Sequence, residues 1–322
     1  MLPRSPCANS RYRQKPVDEF ELIRRYFTRD THSPDVVVGV GDDGAVLKPE
    51  PGTQQVQVID TMVEGVHFPS NMGAADVGYR AVAVNLSDLA AMGARPRWMT
   101  LALTLSDKDE TWIDEFAAGL FDAASEYDVA LVGGDTTSGE VVVATVHMTG
   151  VVEEGAALLR SGARVGDTVF VTGTIGDAAA GLALIQCGKP GEFLRRRFLR
   201  PDARVAKGLE LSGRASAAID LSDGLVGDLR KLLDASGVGA EIDIESIPMS
   251  DALRDHFDAK EAIHFALTGG DDYELCFTAE PDAVIDIDDV TPIGIVTAST
   301  DLVCRLHGEL VEVNDAGYRH FA

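Results

Sequence analysis

The sequence is organised around the stretch Gly39-Val40-Gly41-Asp42-Asp43-Gly44-Ala45-Val46-Leu47. An apolar run enters it, two adjacent carboxylates stand at its centre, and glycines flank them. Two unit charges about 4 Å apart repel by roughly 4 kcal/mol at an effective dielectric constant near 20. Such a pair persists where solvent separates the charges, where one carboxyl is protonated, or where a cation lies between them. The stretch alone leaves these three possibilities open.

The glycines at 39, 41 and 44 match the spacing G-x-G-x-x-G of dinucleotide-binding loops. That fingerprint requires a helix directly after the glycines, because the helix N-terminus binds the pyrophosphate. Here residues 45–47 continue as an apolar strand that ends at Pro49, and the two carboxylates would repel a diphosphate. The sequence therefore argues against a Rossmann site, and it also lacks the GxxxxGK[ST] loop of P-loop enzymes.

The overall composition limits the class of protein. With 322 residues, of which 45% are hydrophobic and 25% charged, the chain is long enough for two globular domains. The formal net charge of −24 argues against nucleic acid or an anionic membrane as a partner, although metal ions can bring a phosphate substrate to an acidic surface. No apolar run approaches the roughly eighteen residues that a membrane span needs. We expect a cytoplasmic protein.

The four cysteines lie far apart without a CxxC pair, which is typical of reduced cytosolic thiols and excludes a cysteine-based zinc site. Residues 1–16 are basic and polar but lack the apolar run of a signal peptide, and we interpret them as a disordered tail. A polar, glycine-punctuated stretch at 155–166 divides the remainder. It predicts an N-terminal domain at 17–153 and a C-terminal domain at 154–322.

Strands and helices mix without the regular alternation of a doubly wound sheet, which predicts an α+β fold in both halves. In the first half the pattern predicts strands over 55–59 and 129–132, each followed by an aspartate motif. Between them it predicts a helix over 74–92 that Gly93 closes in the left-handed conformation.

Aspartates recur directly after apolar strands, beside glycine or hydroxyl residues. The members of this set are Asp42 and Asp43, Asp60, Asp135, Asp220 and Asp223, and Asp271 and Asp272, with Asp88 on a helix. Taken singly, each is also explained as a helix cap or a turn residue. As a set they fit several Mg²⁺ ions around a polyphosphate, because Mg²⁺ binds through one or two carboxylates plus substrate phosphates. The pattern predicts a metal-dependent enzyme that acts on phosphates.

Three other features each have two readings. His67 is either a core or turn histidine or a site residue, and Arg160 is either a solvated loop charge or a bidentate phosphate clamp. The basic cluster between Arg195 and Arg200 is better explained as a solvated helix face than as a surface that gathers an anionic substrate. No GxSxG elbow or Ser-His-Asp order is present, so covalent chemistry has no visible carrier.

The string of motifs resembles the thiamine-monophosphate kinase family, within the aminoimidazole-ribonucleotide synthetase-like superfamily of ATP-using enzymes. The segments that carry the resemblance are Gly41-Asp42-Asp43, Asp60-Thr61, Gly65-Val66-His67-Phe68, Ala83-Val84-Asn85-Leu86-Ser87-Asp88-Leu89-Ala90-Ala91-Met92-Gly93, Gly133-Gly134-Asp135-Thr136-Thr137, Arg160-Ser161-Gly162-Ala163, Ile219-Asp220-Leu221-Ser222-Asp223-Gly224 and Gly269-Gly270-Asp271-Asp272-Tyr273-Glu274-Leu275. It runs from about Glu19 to the C-terminus, and many independent motifs in one order make it specific.

The resemblance implies direct, Mg²⁺-assisted transfer of the γ-phosphate of ATP to thiamine monophosphate, which gives thiamine diphosphate without a covalent nucleophile. It implies an N-terminal ATP- and Mg²⁺-binding domain that pairs into a homodimer, a C-terminal α/β domain, and a site in the cleft between them. The implied metal ligands are Asp43, Asp60, Asp88, Asp135, Asp220 and Asp223. The implied ATP contacts are Gly134, Asp135, Arg160 and Ser222. The implied contacts to thiamine phosphate are His67, Asp271 and Tyr318.

Two positions depart from the family pattern: Ile59 stands where a hydroxyl residue is frequent, and Asp271 stands where glutamate is common. Within the superfamily, aminoimidazole-ribonucleotide synthetase remains the main alternative. A selenophosphate synthetase would carry a catalytic cysteine in a glycine-rich motif, which Cys7 lacks, and a hydrogenase-maturation relative would end in a reactive cysteine rather than in Phe321-Ala322. From a different class, a non-catalytic acidic cation-binding protein also remains open.

Overall fold

The structure, a computed structural model, describes residues 19–29, 33–284, 286–313 and 317. The expected disordered tail at 1–16 and the predicted substrate residue Tyr318 lie outside the described residues. The described helices are α1 (Glu19–Leu22), α2 (Ala74–Ala91), α3 (Glu110–Glu126), α4 (Asp177–Gln186), α5 (Glu192–Leu199), α6 (Val205–Leu211), α7 (Leu225–Ser236), α8 (Asp251–His256) and α9 (Ala259–Thr268), with a π-helical turn at Ile23–Phe27 and 3₁₀ turns at Ile244–Ser246 and Pro281–Val284. The strands are β1 (Val36–Val38), β2 (Val46–Leu47), β3 (Thr53–Val63), β4 (Arg95–Leu105), β5 (Ala130–Ser138), β6 (Val143–Glu153), β7 (Thr168–Thr172), β8 (Ala217–Asp220), β9 (Gly239–Asp243), β10 (Leu275–Ala279), β11 (Val290–Thr297), β12 (Leu302–Leu306) and β13 (Glu309–Val311).

The first half of the chain contains a four-stranded sheet with the order β3-β6-β4-β5. Strands β4 and β5 are parallel, and the other neighbours are antiparallel. Helices α2 and α3 cross closely because two glycines remove side chains from the contact. A Cβ atom on Gly78 would lie 2.0 Å from the carbonyl oxygen of Phe116, and one on Gly119 would lie 1.8 Å from that of Ala75. The close crossing buries α2 almost all round.

The second half contains a seven-stranded sheet with the order β13-β12-β9-β11-β7-β10-β8. Only the β9–β12 pair is parallel among its described pairs. One face carries the core that includes Leu229 on α7 and Ala266 on α9. The other face, with the stacked rings of Phe170 and Phe277, belongs to the same core as Leu89 of α2. The mixed sheets with packed helices confirm the predicted α+β fold.

Helix α2 contacts elements of both halves, and this contact positions the candidate site. Gly208 of α6 lies so close to α2 that a Cβ atom there would be 2.0 Å from the carbonyl oxygen of Ala90. The same helix packs against β8, the edge strand of the seven-stranded sheet. The last turns of α2 therefore face the end of β8. The exact domain division at 153/154 stays a prediction.

Two of the predicted strand ends are wrong. Strand β3 runs on to Val63, and β5 runs on to Ser138, so Asp60 and Asp135 lie inside strands rather than after them. Pairing with a neighbouring strand carries the backbone through both places, even through the glycine pair before Asp135. The predicted cap at Gly93 is confirmed, because its φ of 63° is left-handed and α2 ends just before it.

No helix within the described ranges is long and apolar enough to cross a membrane.

Candidate active site

Four of the predicted metal ligands meet where α2 faces the end of β8. Asp60 lies on the same face of β3 as the buried residues Val56 and Met62, because residues two and four apart along a strand share a face. That face is the inner face of the sheet. Asp88 lies on α2, Asp220 ends β8, and Asp223 follows in the turn before α7. The carboxyls of Asp60 and Asp88 share a hydrogen bond, and the charges of Asp220 and Asp223 act on Asp60. We call these four residues the acid cluster.

The acid cluster has too little positive charge of its own. Burial raises the pKa of Asp60 to about 6, and burial together with the charge on Asp60 raises the pKa of Asp88 to about 7. Burial and the charge on Asp88 raise the pKa of Asp220 to about 7, against the opposing hydrogen bond that Ser87 Oγ donates to Asp220 Oδ2 at 2.9 Å. A bound cation would stabilise the ionised form of all of these groups.

The donor atoms of the acid cluster fit a divalent cation that is shared with a phosphate. Among the residues that the structure describes, no three His, Cys, Asp or Glu side chains enclose a metal position by themselves. Carboxylate oxygens are the ligands that Mg²⁺ prefers, and this ion usually completes its octahedron with water and substrate phosphate oxygens. The arrangement therefore suits an ion that binds together with a phosphorylated ligand.

Arg160 approaches the acid cluster from the C-terminal half. Its charge opposes the effect of burial on the pKa of both Asp88 and Asp220. It borders a cavity of about 450 Å³ whose wall also contains Met92 and Leu159. The hydroxyl of Ser236 fixes the Arg160 loop by donating to the Arg160 carbonyl oxygen at 3.1 Å. A cation beside carboxylates and apolar walls can hold the phosphate of a ligand that also has an apolar ring.

A second, larger cavity lies on the other side of Asp60. Its volume is about 770 Å³. Its polar lining includes Asp60, His67, Arg80, Ser222, Asp223, Asp271 and Tyr273. Two of the three predicted contacts to thiamine phosphate, His67 and Asp271, therefore share one cavity with two members of the acid cluster. Ser222, predicted to contact ATP, also faces this cavity.

The ring of His67 is held by the backbone of its own loop. Its Nδ1 accepts a hydrogen bond from the Val63 N–H at 3.0 Å. An acceptor at Nδ1 places the proton of the neutral ring on Nε2, so that Nε2 is a donor. The loop itself is closed by the Gly65 N–H, which donates to the Phe68 carbonyl oxygen at 2.8 Å. These contacts fix His67 at the wall of the large cavity.

The two aspartates of the Gly-Gly-Asp-Asp motif have different roles, although the sequence presents them as a pair. Asp271 faces the large cavity and pairs with Arg80. Asp272 is buried, and its carboxylate accepts the N–H groups of Gly176 at 2.6 Å and Ala178 at 3.1 Å at the start of α4. Burial raises the pKa of Asp272 to about 7. Asp272 therefore caps a helix, and only Asp271 is available to a ligand.

The structure places the other two predicted metal ligands in a separate cavity. Asp43, Gly134 and Asp135 line a cavity of about 430 Å³ at the β5 edge of the four-stranded sheet, whereas Asp60 lies on β3 at the opposite edge. Across this sheet Asp60 lies in one row with Val146, Leu101 and Gly134, which puts the backbones of Asp60 and Gly134 about 14 Å apart. Within one chain, the six predicted ligands are thus divided into four and two.

Asp42 has a local role in the turn at the centre of the opening motif. Its Oδ1 accepts the N–H of Asp43 at 2.8 Å. Of the three explanations for the adjacent carboxylates, solvent separation agrees best with the structure, because both side chains are exposed. No helix follows the glycines, since residues 46–47 form β2, and the rejection of a Rossmann site is confirmed.

Two residues at the site were not identified from the sequence. Arg80 stands on the wall of the large cavity, and its signal was a lone charge within the apolar run of α2. Lys231 pairs with Asp223 at 2.6 Å and with Asp228 at 2.8 Å, and thereby supplies a positive charge next to the acid cluster. An i,i+3 spacing to Asp228 was its only signal, and such spacing is common on solvated helices.

Comparison with known proteins identifies the family and the fold. Residues 41–152 match the family model described as AIR synthase related protein, N-terminal domain, and residues 164–307 match that of the C-terminal domain. The thiamine-monophosphate kinase of Escherichia coli strain K12 is 47% identical over 322 residues, which cover 94% of this chain and 98% of that protein.

Two solved structures agree with this assignment. The thiamine-monophosphate kinase of Stenotrophomonas maltophilia K279a has a TM-score of 0.83 at 43% identity and covers 92% of this chain and 98% of its own. The structure of AaThiL complexed with AMPPCP and TMP has a TM-score of 0.79 at 34% identity and covers 96% and 99%. The predicted resemblance is confirmed, and the chain belongs to the thiamine-monophosphate kinase family.

Proposed function

We propose that this protein transfers the γ-phosphate of ATP to the phosphate of thiamine monophosphate and forms thiamine diphosphate and ADP. The observation that carries the proposal is a cluster of four carboxylates, deficient in counter-charge, between two cavities of about 450 and 770 Å³. Such a cluster can hold two phosphorylated ligands against each other through shared cations. The relative complexed with AMPPCP and TMP supports the identity of the two ligands.

The residues around the acid cluster would divide the work of binding. Asp60, Asp88, Asp220 and Asp223 would hold several Mg²⁺ ions, which would supply positive charge to the phosphates. Arg160 and Ser222 would contact ATP. His67 and Asp271 would contact thiamine monophosphate. In the transfer, the bond between the γ-phosphorus and its bridging oxygen breaks while an oxygen of the acceptor phosphate bonds to that phosphorus, and ADP leaves.

We also infer a cytoplasmic homodimer that pairs through the four-stranded sheet. The outer face of this sheet bears Ile59, which is 63% exposed, and Thr61 and Ala102, which are also exposed. Asp135 lies on this outer face, because it pairs in register with Ala102. The ATP-binding roles of Gly134 and Asp135 and the metal role of Asp43 stay predictions. I59E should convert the dimer to a monomer in light scattering, and a wild-type monomer would contradict the pairing.

The decisive experiment is a coupled assay with thiamine monophosphate, ATP and Mg²⁺. We expect thiamine diphosphate and ADP in equal amounts, and the absence of both would overturn the proposal.

H67A should raise the KM for thiamine monophosphate and leave the KM for ATP unchanged, and D135N should abolish turnover without loss of the fold. An aminoimidazole-ribonucleotide synthetase would ignore thiamine monophosphate, and a non-catalytic cation-binding protein would bind Mg²⁺ without consuming ATP.

A further inference from the structure

Arg80 is a fully buried arginine at the wall of the large cavity, and its side chain is 2% exposed. Although it lies on α2 of the first half, its described partners belong to the second half. Its Nη2 donates to Oδ1 of Asp271, and its Nη1 donates to the carbonyl oxygen of Phe198 at 2.5 Å. The guanidinium lies over the rings of Phe198 and Tyr273, at 4.5 Å and 5.4 Å from their centroids. A buried charge with this many specific contacts fixes one arrangement of two elements.

The partners of Arg80 are held in an unusual backbone conformation. Asp271 has a φ of 73° and Tyr273 a φ of 53°, values that residues other than glycine rarely adopt. Such residues persist only where their surroundings enforce them, and they concentrate at ligand sites. The Tyr273 hydroxyl donates to the same Oδ1 of Asp271 at 3.2 Å. Oδ2 has no hydrogen-bond partner among the described residues, and the Asp271 side chain remains 30% exposed at the cavity.

The same loop contains a control for this reasoning. Glu274 is also bound by arginines, Arg197 and Arg204, but it is 0% exposed, and both of its oxygens are occupied. That carboxylate has no oxygen left for a ligand. The Arg80–Asp271 pair differs because Arg80 is buried, whereas the side chain of Asp271 remains partly exposed to the cavity.

We propose that Arg80 is a positioning residue for the acceptor substrate, an inference that rests on the proposed function. It holds the Asp271 carboxylate at the cavity wall with one oxygen uncommitted, and it ties the loop 269–274 to α2. Because α2 also carries Asp88, the same helix then sets the position of Asp271 relative to the acid cluster. The thiamine-phosphate side of the cavity therefore depends on a residue of the other half of the molecule.

R80K keeps the charge but loses the planar fork that bonds Asp271 and Phe198 at once. We expect it to raise the KM for thiamine monophosphate about tenfold, the effect of one lost charge-assisted contact, with the KM for ATP and kcat within about twofold. Calorimetric titration of thiamine monophosphate should show the same loss of affinity. The control R305K changes an exposed ion pair with Glu241 at the far end of the second sheet and should leave both KM values unchanged.

Two further variants separate positioning from a merely structural role. D271N should raise the KM for thiamine monophosphate in the same selective way. Added to D271N, the change R80K should have little further effect on that KM, because both act through one carboxylate. R80M leaves a carboxylate without its counter-charge and can fail to fold, so the test relies on the other two variants.

The outcomes separate the inference from the proposed function. A folded R80K with unchanged KM for thiamine monophosphate, or with equal losses for both substrates and a lowered Tm, would overturn the positioning role while the wild type still forms thiamine diphosphate. A wild type that forms no thiamine diphosphate would overturn the proposed function and the inference with it.

Discussion

Glu274 and the acid cluster differ in which groups neutralise their negative charge. The Glu274 carboxylate accepts two hydrogen bonds from Arg204, from Nε and Nη2, both at 2.6 Å. It also accepts one from Nη2 of Arg197 at 2.7 Å and one from the Thr172 hydroxyl at 2.6 Å.

Asp220, also buried, accepts a hydrogen bond from the Ser87 hydroxyl, and the charges of Asp88 and Asp228 raise its pKa against the opposing charge of Arg160. Glu274 has its cations within the chain. In the acid cluster only Asp223 has a described ion pair, with Lys231, and none is described for Asp60, Asp88 or Asp220.

This difference distinguishes structural from functional burial of charge. A buried carboxylate surrounded by fixed donors is complete as folded, and it holds β7, β10 and the α5–α6 region together. Carboxylates whose pKa values rise because they are buried near one another are stabilised only by a proton or by a cation from outside. The acid cluster is therefore the part of the interior that a ligand completes. The following predictions test this contrast.

The largest effect is expected from E274Q. The change leaves Arg197 without its described ion-pair partner and leaves Arg204 with only its longer pairs to Asp202 at 3.7 Å and Asp289 at 3.3 Å. Breaking a buried ion pair in this way typically costs about 3–5 kcal/mol. Urea denaturation at pH 7 should show this loss in the free energy of unfolding. E241Q, which removes one exposed partner of Arg305, serves as the control and should change the stability by at most about 0.5 kcal/mol. Equal effects would show that burial of the ion pair does not matter.

The ligand-free protein should lose stability as the pH rises from about 4 to about 7. The pKa values of Asp88 and Asp220 are raised to about 7 in the folded state, whereas unfolded aspartate titrates near 3.9. Between these values the unfolded chain releases protons that the folded chain retains, so stability falls across this window and levels off above it. The loss should be on the order of 4 kcal/mol for each proton that the folded chain retains across the whole window.

Urea denaturation at several pH values measures this slope. Mg²⁺ with a non-hydrolysable ATP analogue should reduce this slope, because a bound cation replaces the protons of the acid cluster. The part of the slope that comes from Asp272, outside the acid cluster, should remain. A ligand-free protein whose stability rises steadily from pH 4 to pH 7 would show that the acid cluster is already neutralised within the chain.

D220N should stabilise the ligand-free protein at pH 8 by about 1–2 kcal/mol while it impairs the enzyme. The neutral amide removes a buried charge from the acid cluster, and its oxygen can still accept from Ser87. Loss of an outer-shell partner of a metal lowers activity by up to about a hundredfold. Because Asp220 is predicted to bind the metal directly, turnover should fall by at least this factor. Unfolding curves and the coupled assay measure the two effects. If D220N were less stable than the wild type at pH 8, Asp220 would have a counter-charge that the contrast denies.

D43N should leave the stability within about 0.5 kcal/mol, since the Asp43 side chain is exposed and makes no described ion pair. If Asp43 contributes to the binding of ATP-bound metal, the KM for ATP should rise while the pH dependence of stability stays that of the wild type. Steady-state kinetics measure the effect on ATP binding, and urea denaturation measures the effect on stability. Unchanged kinetics would remove Asp43 from the metal ligands.

The aspartates themselves were identifiable from the sequence, because carboxylates beside glycines and apolar runs are a local pattern. Their surroundings were not identifiable in the same way. Asp60 was predicted to follow a strand, but β3 continues past it, because a strand end depends on the length of the neighbouring β6. Asp271 and Asp272 are adjacent in sequence, yet one faces a cavity and the other caps α4, and only the packing of α4 distinguishes them.

By itself the sequence determined the α+β class, the acidic phosphate-binding character and the family resemblance, since all three depend on composition and on short motifs. Only the tertiary structure decided how the opening motif relates to the rest. Asp43 and Asp135 lie across the four-stranded sheet from the acid cluster, because strand order, which depends on contacts distant in sequence, separates them by two strands. The same long-range packing brings Arg80 of α2 to Asp271, a pair 191 residues apart.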